Sequence, residues 1–468
     1  MNLSLEELER IDLYFHPESV AVVGASTNPL KFGYQVIRNL INLKYPGRIY
    51  PINPKVSEIQ GFKAFPSVLD VPHNIDIVVI AVPAHVIPSI MRDCERKGVK
   101  NVVILASGFD EAGPEGQAYQ REVLEVAKRG GIRIVGPNTT GMLNPSSGFT
   151  STFVPLDTVK AGDISFISQT GMFAGMMMEW IVSGQEFGFR KVAGLGNKCD
   201  VADHEMLYYL AQDEETKVIL IHAEGIRDGT KFLEALKRVT KTKPVVVLKS
   251  GRSKAGARAA SSHSASLAGD DQIFDAALKQ SGAVRAESLE DLVDLGKAFC
   301  YLPLPLGNGT SCISLSGGAG VMAADALERN GLSLEKLNDE TLSVIRERSP
   351  VWAIPSNPLD IEPITEVIGF VDAYTLGLNT LLSDNKVDSC IVQHGTIFRS
   401  EEEIQFVLEA KEKYPHKPIA VCIIGFKDVY DELFVLYERN KIPVYPTVER
   451  AARALGALNR RRRYLARV

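Results

Sequence analysis

The sequence lacks the features of several common protein classes. Its six cysteines lie far apart in 468 residues and form no C-x-x-C pair. This arrangement argues against a disulfide framework and against a zinc ribbon. No apolar run is long enough to span a bilayer, and the acidic N-terminus is unlike a signal peptide. We therefore expect a protein of the reducing cytoplasm that has no membrane partner.

Further absences exclude other functions. The net charge of −5 provides no general attraction to nucleic acid, so no nucleic-acid partner is expected. The basic run at 460–463 is interpreted as the solvated end of a helix. The sequence contains no G-x-x-x-x-G-K-[ST] motif, and its histidines are not spaced as metal ligands. We predict neither a P-loop nor a metal site.

A β-branched run, a glycine-rich turn and a helical pattern recur along the chain. This order predicts an α/β protein with parallel sheets and crossover helices. The first block has strand patterns at 19–23, 48–52, 75–81, 101–105 and 133–135. The second has strand patterns at 162–167, 191–193, 217–221 and 244–248, then helices at 272–281 and 289–299. The third has strand patterns at 310–316, 389–393 and 418–423 and a helix at 448–459.

These blocks predict three doubly wound domains in series, of Rossmann-like or flavodoxin-like type. We place their boundaries at 1–145, 146–305 and 306–468. The stretch 302–309 is rich in proline and glycine and is the clearest linker in the chain.

The turn after the first strand has the position of a phosphate-binding loop. Backbone N–H groups and a helix N-terminus favour an anion there. The loop runs from Gly24, Ala25 and Ser26 through Lys31 to Gly33, and its glycines do not form G-x-G-x-x-G. The second strand ends near Asn53 and Lys55. A lysine at that position, where dehydrogenases carry an acid, suits a ligand with an additional phosphate, such as NADP or CoA. The alternative is that the glycines only form turns.

Three other strand ends of the first block carry candidate ligand contacts, namely Val82-Pro83, Ser107-Gly108 and Asn138. Ligands bind at the carboxyl edge of such a sheet. The Asn138 amide can donate to a carbonyl or phosphate oxygen. The alternative is that Asn138 stabilises its own turn.

In the second block, small and polar residues separate a strand from a predicted helix. They are Ser168, Gln169, Thr170 and Gly171. Such a turn at a helix N-terminus can hold a phosphate. An ordinary N-cap by Ser168 or Thr170 remains equally open.

The segment 252–269 contains almost no large apolar residue, and we predict that it is a mobile functional loop. At its centre lies His263, whose neutral imidazole is a nucleophile able to carry a phosphoryl group. Glu224 follows a strand and precedes a glycine. Its carboxylate could accept one imidazole N–H and leave the other nitrogen free to attack phosphorus. The alternative is that Glu224 is an ordinary acid of a surface turn.

At this point the motifs resemble those of a known family, the α subunits of ADP-forming acyl-CoA synthetases, relatives of succinyl-CoA synthetase. The phosphohistidine motif of that family is similar to residues 262–269. Further matches are 24–26, 53–55, 136–138, 194–198, 224–229 and 357–361. The resemblance covers essentially the whole chain.

The resemblance implies a reversible reaction in which acyl-CoA, phosphate and ADP give a free acid, CoA and ATP. It implies that the first domain holds CoA and that His263, oriented by Glu224, carries the phosphoryl group. It also implies that residues 168–171 stabilise that charge. No ATP-grasp domain is evident in this chain. The resemblance therefore implies a separate ATP-grasp β subunit that holds ADP or ATP with Mg²⁺, in an α2β2 assembly.

The chain departs from the family pattern at three places, which are Thr139-Thr140, Thr170 with the bulky pair Met172-Phe173, and Ala265. None of these changes removes a reactive group. Because the first two lie near the expected acyl group, acetate is not assumed as the substrate. Two alternatives stay open, a non-catalytic CoA or acyl-CoA sensor of the same fold and an NADP-dependent oxidoreductase. The second leaves the His263 segment unexplained.

Overall fold

The fold is described from a computed structural model. It describes residues 3–171, 180, 183–264, 270–396 and 402–468, without the side chains of 260–264 and 402. The chain forms two compact units, Met1–Glu287 and Ser288–Val468. Within the described part, no helix combines the length and the apolar character needed to cross a bilayer.

The first unit contains a five-stranded parallel sheet in the order β2-β1-β5-β6-β7. Its strands are β1 Ser19–Val23, β2 Arg48–Ile52, β5 Ile77–Ile80, β6 Asn101–Ile104 and β7 Arg133–Val135. A small hairpin is formed by β3 Glu58–Ile59 and β4 Phe62–Lys63. The helices of this part are α1 Leu5–Asp12, α2 Phe32–Asn42, α3 Ile87–Lys97 and α4 Pro114–Gly130.

This sheet forms because its strands are apolar on both faces, as expected for a parallel sheet covered by helices. Along β1, Val20 and Val22 belong to one apolar cluster, which also contains Val36 of α2. Ala21 and Val23 belong to a second cluster, on the other face, with Ile87 of α3. Helices therefore cover both faces, and the carboxyl edge remains available for a ligand.

A second sheet lies in the same unit, with the strand order β14-β13-β12-β10-β11-β8-β9. Five strands are parallel, whereas β8 and β9 extend the sheet in antiparallel fashion. The strands are β8 Met142–Asn144, β9 Phe149–Thr150, β10 Ala161–Ser168, β11 Phe189–Gly194, β12 Val218–Ala223, β13 Val245–Lys249 and β14 Val284–Ala286. The helices are α5 Asp203–Gln212, α6 Gly229–Val239, α7 Lys254–Ser264 and α8 Asp271–Ser281.

The prediction of a loop at 252–269 is wrong for most of its length, because residues 254–264 form helix α7. The physical reason is composition. Alanine, lysine and arginine favour a helix even where no apolar face drives packing. Ser253 also supports the first turn, since its hydroxyl accepts from the Gly256 N–H at 3.0 Å. Residues 265–269, including Ala265, lie outside the described residues.

The second unit contains a five-stranded parallel sheet in the order β16-β15-β17-β18-β19. Its strands are β15 Thr310–Ser314, β16 Leu359–Asp360, β17 Ser389–Gly395, β18 Ile419–Ile424 and β19 Val444–Tyr445. Its helices are α9 Leu289–Tyr301, α10 Gly317–Arg329, α11 Asp339–Arg346, α12 Glu362–Ile368, α13 Phe370–Ser383, α14 Glu402–Lys413, α15 Lys427–Arg439 and α16 Val448–Leu465. The predicted fold class, with three largely parallel α/β sheets in series, is confirmed.

The boundary predicted at 305/306 differs from the division seen in the structure, where the second unit begins at Ser288. Helix α9 belongs to this unit because its polar residues pair there. The buried Lys297 ammonium donates to Glu438 at 2.9 Å, and Asp294 binds the guanidinium of Arg450. An amphipathic pattern alone does not show whether a helix ends one domain or begins the next.

Candidate functional site

The two sheets of the first unit contribute to one cavity of about 740 Å³. From the first sheet, Ser107 and Asn138 line it at strand ends. From the second come the turn 169–171, which follows β10, and Glu224, which follows β12. Six residues predicted separately from the sequence therefore lie around one cavity. The remaining described lining residues are Phe32, Leu105, Thr139, Thr140, Phe153, Asn197, His222, Ser250, Gly251, Gly256 and Ala259.

A groove of about 660 Å³ lies next to this cavity and shares Phe32 and Ser107 with it. The predicted contacts Val82, Pro83 and Gly108 line the groove. The other described lining residues are Ala81, Ala84, His85, Ala106, Ala112, Glu115, Gly116 and Tyr119. The shared residues make the groove and the cavity neighbours along one edge of the first sheet.

The glycines of the first loop shape the backbone and line neither space. Gly24 has a φ of +85°, and a Cβ there would lie 2.7 Å from the Ala81 carbonyl oxygen. A Cβ on Gly33 would lie 2.2 Å from the Gly24 carbonyl oxygen. Helix α2 and the end of β5 can approach this loop only because both positions lack a side chain. Ala25, in the same loop, is buried.

The polar residues of the first loops mostly hold the loops themselves. The Ser26 hydroxyl accepts from the Asn28 N–H at 3.0 Å. The Asn53 amide donates to the Ala25 carbonyl at 2.8 Å, and its oxygen accepts from the Lys55 N–H at 2.8 Å. Lys31 and Lys55 are exposed and line neither the groove nor the cavity. Asn53 thus ties the ends of β1 and β2 together.

The turn that follows β10 contains one residue that stabilises the turn, Ser168, and three that line the cavity. The Ser168 hydroxyl is buried and donates to the Thr170 carbonyl at 2.9 Å, so this side chain stabilises the turn. The side-chain amide oxygen of Gln169 points toward the end of β12. That oxygen accepts from the backbone N–H groups of Glu224 at 2.9 Å and Gly225 at 3.1 Å. Gln169 therefore links the expected phosphate turn to Glu224.

Lys198 is a residue of this site that the sequence analysis did not identify. Its side chain is 2% exposed, and its ammonium donates to Gln169 at 3.0 Å and to the Gly225 carbonyl at 2.7 Å. It also donates to both carboxylate oxygens of Asp203, at 2.9 and 3.1 Å. Lys198 ends the family motif at 194–198, but no local pattern in the sequence indicates that this lysine is buried.

Glu224 is buried in the wall of the cavity, with 8% of its surface exposed, so it is not an ordinary surface acid. Its backbone is held from two sides, by Gln169 and by the Lys249 ammonium, which donates to the Glu224 carbonyl at 2.7 Å. Burial lowers the pKa of Lys249. The carboxylate of Glu224 is thus carried on a turn whose backbone is fixed.

His222 also lines the cavity, two residues before Glu224. Its Nε2 lies 2.8 Å from the Ser250 hydroxyl oxygen. Burial lowers the pKa of His222 to about 3, and the charges of Lys198 and Lys249 add to this effect. The imidazole is therefore neutral at physiological pH and is part of the polar wall. In the sequence, the position of His222 directly after the predicted strand 217–221 was the feature that could have indicated its place in this site.

Helix α7 reaches the cavity through Gly256 and Ala259. The backbone of His263 belongs to the same helix. It follows Ala259 by four residues and Gly256 by seven, a spacing that places all three positions on one helical face. The side chain of His263 lies outside the described part of the structure, as do residues 172 and 173.

Two family descriptions match the first unit, and one of them extends into helix α9 of the second unit. Residues 18–145 match a family described as a CoA binding domain, and residues 161–299 match one described as a succinyl-CoA ligase like flavodoxin domain. The cavity lies where strand ends of these two matched regions meet. Fold and site together define a CoA-ligase subunit that combines a CoA-binding domain with a ligase domain.

Whole-chain comparisons identify the family. The chain is 39% identical to the α subunit of acetate–CoA ligase (ADP-forming) I of Pyrococcus furiosus, over 96% of this chain and 97% of that one. It is 42% identical to acetate–CoA ligase (ADP-forming) II of Archaeoglobus fulgidus over 95% of its length, but spans only 66% of that longer relative. A solved dinucleotide-forming acetyl-coenzyme A synthetase 1 of Ca. Korarchaeum cryptofilum, in complex with phosphate and ADP, matches with a TM-score of 0.89, 34% identity and 98% coverage of both chains. The chain belongs to the family of ADP-forming acetate–CoA ligase α subunits.

Proposed function

We propose that this chain is the α subunit of an ADP-forming acyl-CoA synthetase, acting with a partner that holds the nucleotide. The reaction converts acyl-CoA, phosphate and ADP into a carboxylic acid, CoA and ATP, and it is reversible. The observation that carries the proposal is the shared cavity, in which the edge of the CoA-binding domain faces Glu224 and the turn at Gln169. The relatives of the same family support it.

CoA is assigned to the groove beside the first sheet, with its thiol end in the cavity. Val82, Pro83, Ser107 and Gly108 line the path from one to the other. In this arrangement the phosphates of CoA extend beyond the groove to the glycine-shaped first loop, where the exposed Lys31 and Lys55 contact them at the carboxyl edge of the sheet. Thr139, Thr140 and Phe153 contribute to the wall beside the acyl group.

The chemistry follows three steps. A phosphate oxygen attacks the thioester carbonyl, the C–S bond breaks, and CoA leaves as its thiolate while acyl phosphate forms. An imidazole nitrogen of His263 then attacks phosphorus, and the carboxylate leaves with the electrons of the broken P–O bond. Finally the phosphoryl group passes from His263 to ADP and gives ATP.

The residues of this chain orient and stabilise these steps. Glu224 accepts the N–H of one imidazole nitrogen and leaves the other free to attack. The turn at Gln169, Thr170 and Gly171 provides donors for the phosphoryl oxygens. Asn138 donates to the thioester carbonyl oxygen as negative charge develops on it. Lys198 acts through Gln169 by keeping this turn close to Glu224.

The nucleotide and its Mg²⁺ are assigned to an ATP-grasp β subunit in an α2β2 assembly. The names of two relatives support this assignment, because this chain covers 97% of each of them and both are named as α subunits. CoA and adenine nucleotides as substrates support a cytoplasmic location. A non-catalytic CoA sensor would need the groove but not a buried Glu224 beside the histidine helix.

The function is tested by reconstitution. The chain is mixed with a candidate ATP-grasp subunit, acetyl-CoA and other acyl-CoAs, phosphate, ADP and Mg²⁺. ATP is measured by luminescence and free CoA by thiol titration, and both should appear in equal amounts. His263→Asn should abolish both products. His416→Asn, the same change at an exposed histidine, should leave them unaltered. ATP formation that survives in His263→Asn would refute the proposed route.

A further inference from the structure

Glu111 uses both of its carboxylate oxygens to connect two loops of the first unit. It lies in the short turn Asp110–Ala112 after β6. One oxygen accepts from the backbone N–H groups of Gly108, at 2.7 Å, and Phe109, at 3.4 Å. The other accepts from the side-chain amide of Asn197 at 2.5 Å. One oxygen of Glu111 therefore holds the loop at Gly108, which lines the CoA groove. The other oxygen holds Asn197, which lines the cavity.

The connection continues from Asn197 to Asn138. The Asn197 side-chain oxygen accepts from the Asn138 amide at 3.4 Å, and the Asn197 N–H donates to the Pro137 carbonyl at 2.9 Å. Gly196 brings the two backbones together, since a Cβ there would lie 2.3 Å from the Pro137 carbonyl oxygen. The Asn138 amide thus takes its orientation from Asn197, which takes its own from Glu111.

Helix α7 adds a third contact to the same turn, because it packs against residues 110–112. This is the helix that contains His263 and lines the cavity through Gly256 and Ala259. The turn of Glu111 therefore touches three parts of the site. They are the CoA loop, the Asn197–Asn138 pair and the histidine helix.

We propose that Glu111 is a positioning residue that couples occupation of the CoA groove to the orientation of Asn138 in the cavity. The inference rests on the proposed function. A ligand seated against Ser107 and Gly108 fixes the loop that Glu111 holds. Glu111 in turn fixes Asn197 and the amide that donates to the thioester oxygen. The coupling acts on the steps that use CoA and not on phosphoryl transfer between His263 and the nucleotide.

The geometry requires a carboxylate at this position. Both oxygens of Glu111 act as acceptors, whereas the amide of glutamine has one acceptor and one donor group. In Glu111→Gln, an NH₂ group therefore faces the NH₂ group of Asn197. If the Asn197 amide turns to accept from it, its own NH₂ group then faces the Asn138 amide, and the orientation of Asn138 is no longer set as in the wild type. The reciprocal change Asn197→Asp restores the pattern, because the introduced glutamine can then donate to the introduced aspartate while still accepting from the Gly108 N–H.

The test separates two half-reactions in the complex with the ATP-grasp subunit. In the first, ATP and Mg²⁺ phosphorylate His263 without CoA, and intact mass gives the rate. In the second, the isolated phosphoenzyme is discharged by CoA and the acid. For Glu111→Gln we expect the first rate to stay within about twofold of the wild-type rate, as for a variant without effect on that step. The second should fall about tenfold to a hundredfold, the range expected for one lost charge-assisted hydrogen bond.

Two variants complete the test. Glu125→Gln makes the same change at an exposed glutamate of α4 and should alter neither rate. Glu111→Gln combined with Asn197→Asp should recover most of the lost discharge rate, because the donors and acceptors of the two residues match again. Three results would overturn the inference. They are a normal discharge rate in Glu111→Gln, an equal fall in both rates, and no recovery of the discharge rate in the double variant. If the wild-type enzyme is never phosphorylated at His263, the proposed function fails first, and the inference fails with it.

Discussion

Replacing Lys198 by methionine should strongly destabilise the first unit. The side chains of Lys198 and Asp203 are only 2% and 4% exposed, and their charges lie 2.9 Å apart. Methionine has a similar length but leaves the Asp203 carboxylate buried without its cation. Breaking a buried pair from one side costs about 3–5 kcal/mol of unfolding free energy. The Gln169 oxygen and the Gly225 carbonyl each lose a donor as well.

The effect is measured by urea unfolding followed by far-UV circular dichroism, with the midpoint and the slope both fitted. Lys128→Met, at an exposed position of α4, is the matched control and should change the unfolding free energy by no more than about 0.5 kcal/mol. Lys198→Met combined with Asp203→Leu removes both charges. Because no buried charge remains unpaired, the deficit should shrink to about 1–2 kcal/mol.

Two results would refute this reasoning. A cost below about 1 kcal/mol for Lys198→Met would mean that the pair behaves like an exposed one. A double variant as unstable as the single one would mean that the buried carboxylate is not the source of the loss. The expected order is wild type, then the double variant, then Lys198→Met.

Three further predictions concern CoA binding, pH and phosphoryl transfer. Gly33→Ala places a Cβ 2.2 Å from a backbone carbonyl oxygen, so titration calorimetry should show weakened or abolished CoA binding. Burial lowers the pKa of His222 to about 3, so below a pH of about 6.5 only the unfolded chain gains this proton, and stability falls as the pH falls. The loss from this group should reach about 2 kcal/mol by pH 5 and vanish in His222→Asn, as measured by urea unfolding at each pH. Glu224→Gln should slow phosphorylation of His263 about a hundredfold with CoA affinity unchanged, measured by intact mass and calorimetry.

The strands were the most predictable part of this molecule. Strands β1, β2 and β7 occupy the predicted ranges because short runs of β-branched residues, buried on both faces, differ clearly from their polar flanks. Strands β16 and β19 were missed, since two residues carry no periodicity. Helix α7 was missed because it forms without a large apolar face. The segment was predicted to be a loop because it contains almost no large apolar residue.

The site was predictable where a residue stands at a strand end. Glu224, Gln169 and Asn138 were selected in this way, and all three line the cavity, because parallel strands bring their carboxyl ends to one edge. Lys198 and Glu111 were not recognised, because the contacts that link them to the cavity residues Gln169 and Asn197 join positions that are distant in sequence. Lys198 meets Gln169 across 29 positions, and Glu111 meets Asn197 across 86. Only the fold creates these pairs, and no local pattern indicates them.

The central claim is that His263 carries the phosphoryl group. The purified chain is incubated with Mg²⁺ and acetyl phosphate, and then with other acyl phosphates, and intact mass is recorded after acid and after base. We expect a phosphoryl adduct that is labile in acid, stable in base, and absent from His263→Asn. An adduct of the same size and stability in His263→Asn would contradict it. So would the absence of any adduct in the wild-type chain, both with acyl phosphates and with ATP and the ATP-grasp partner.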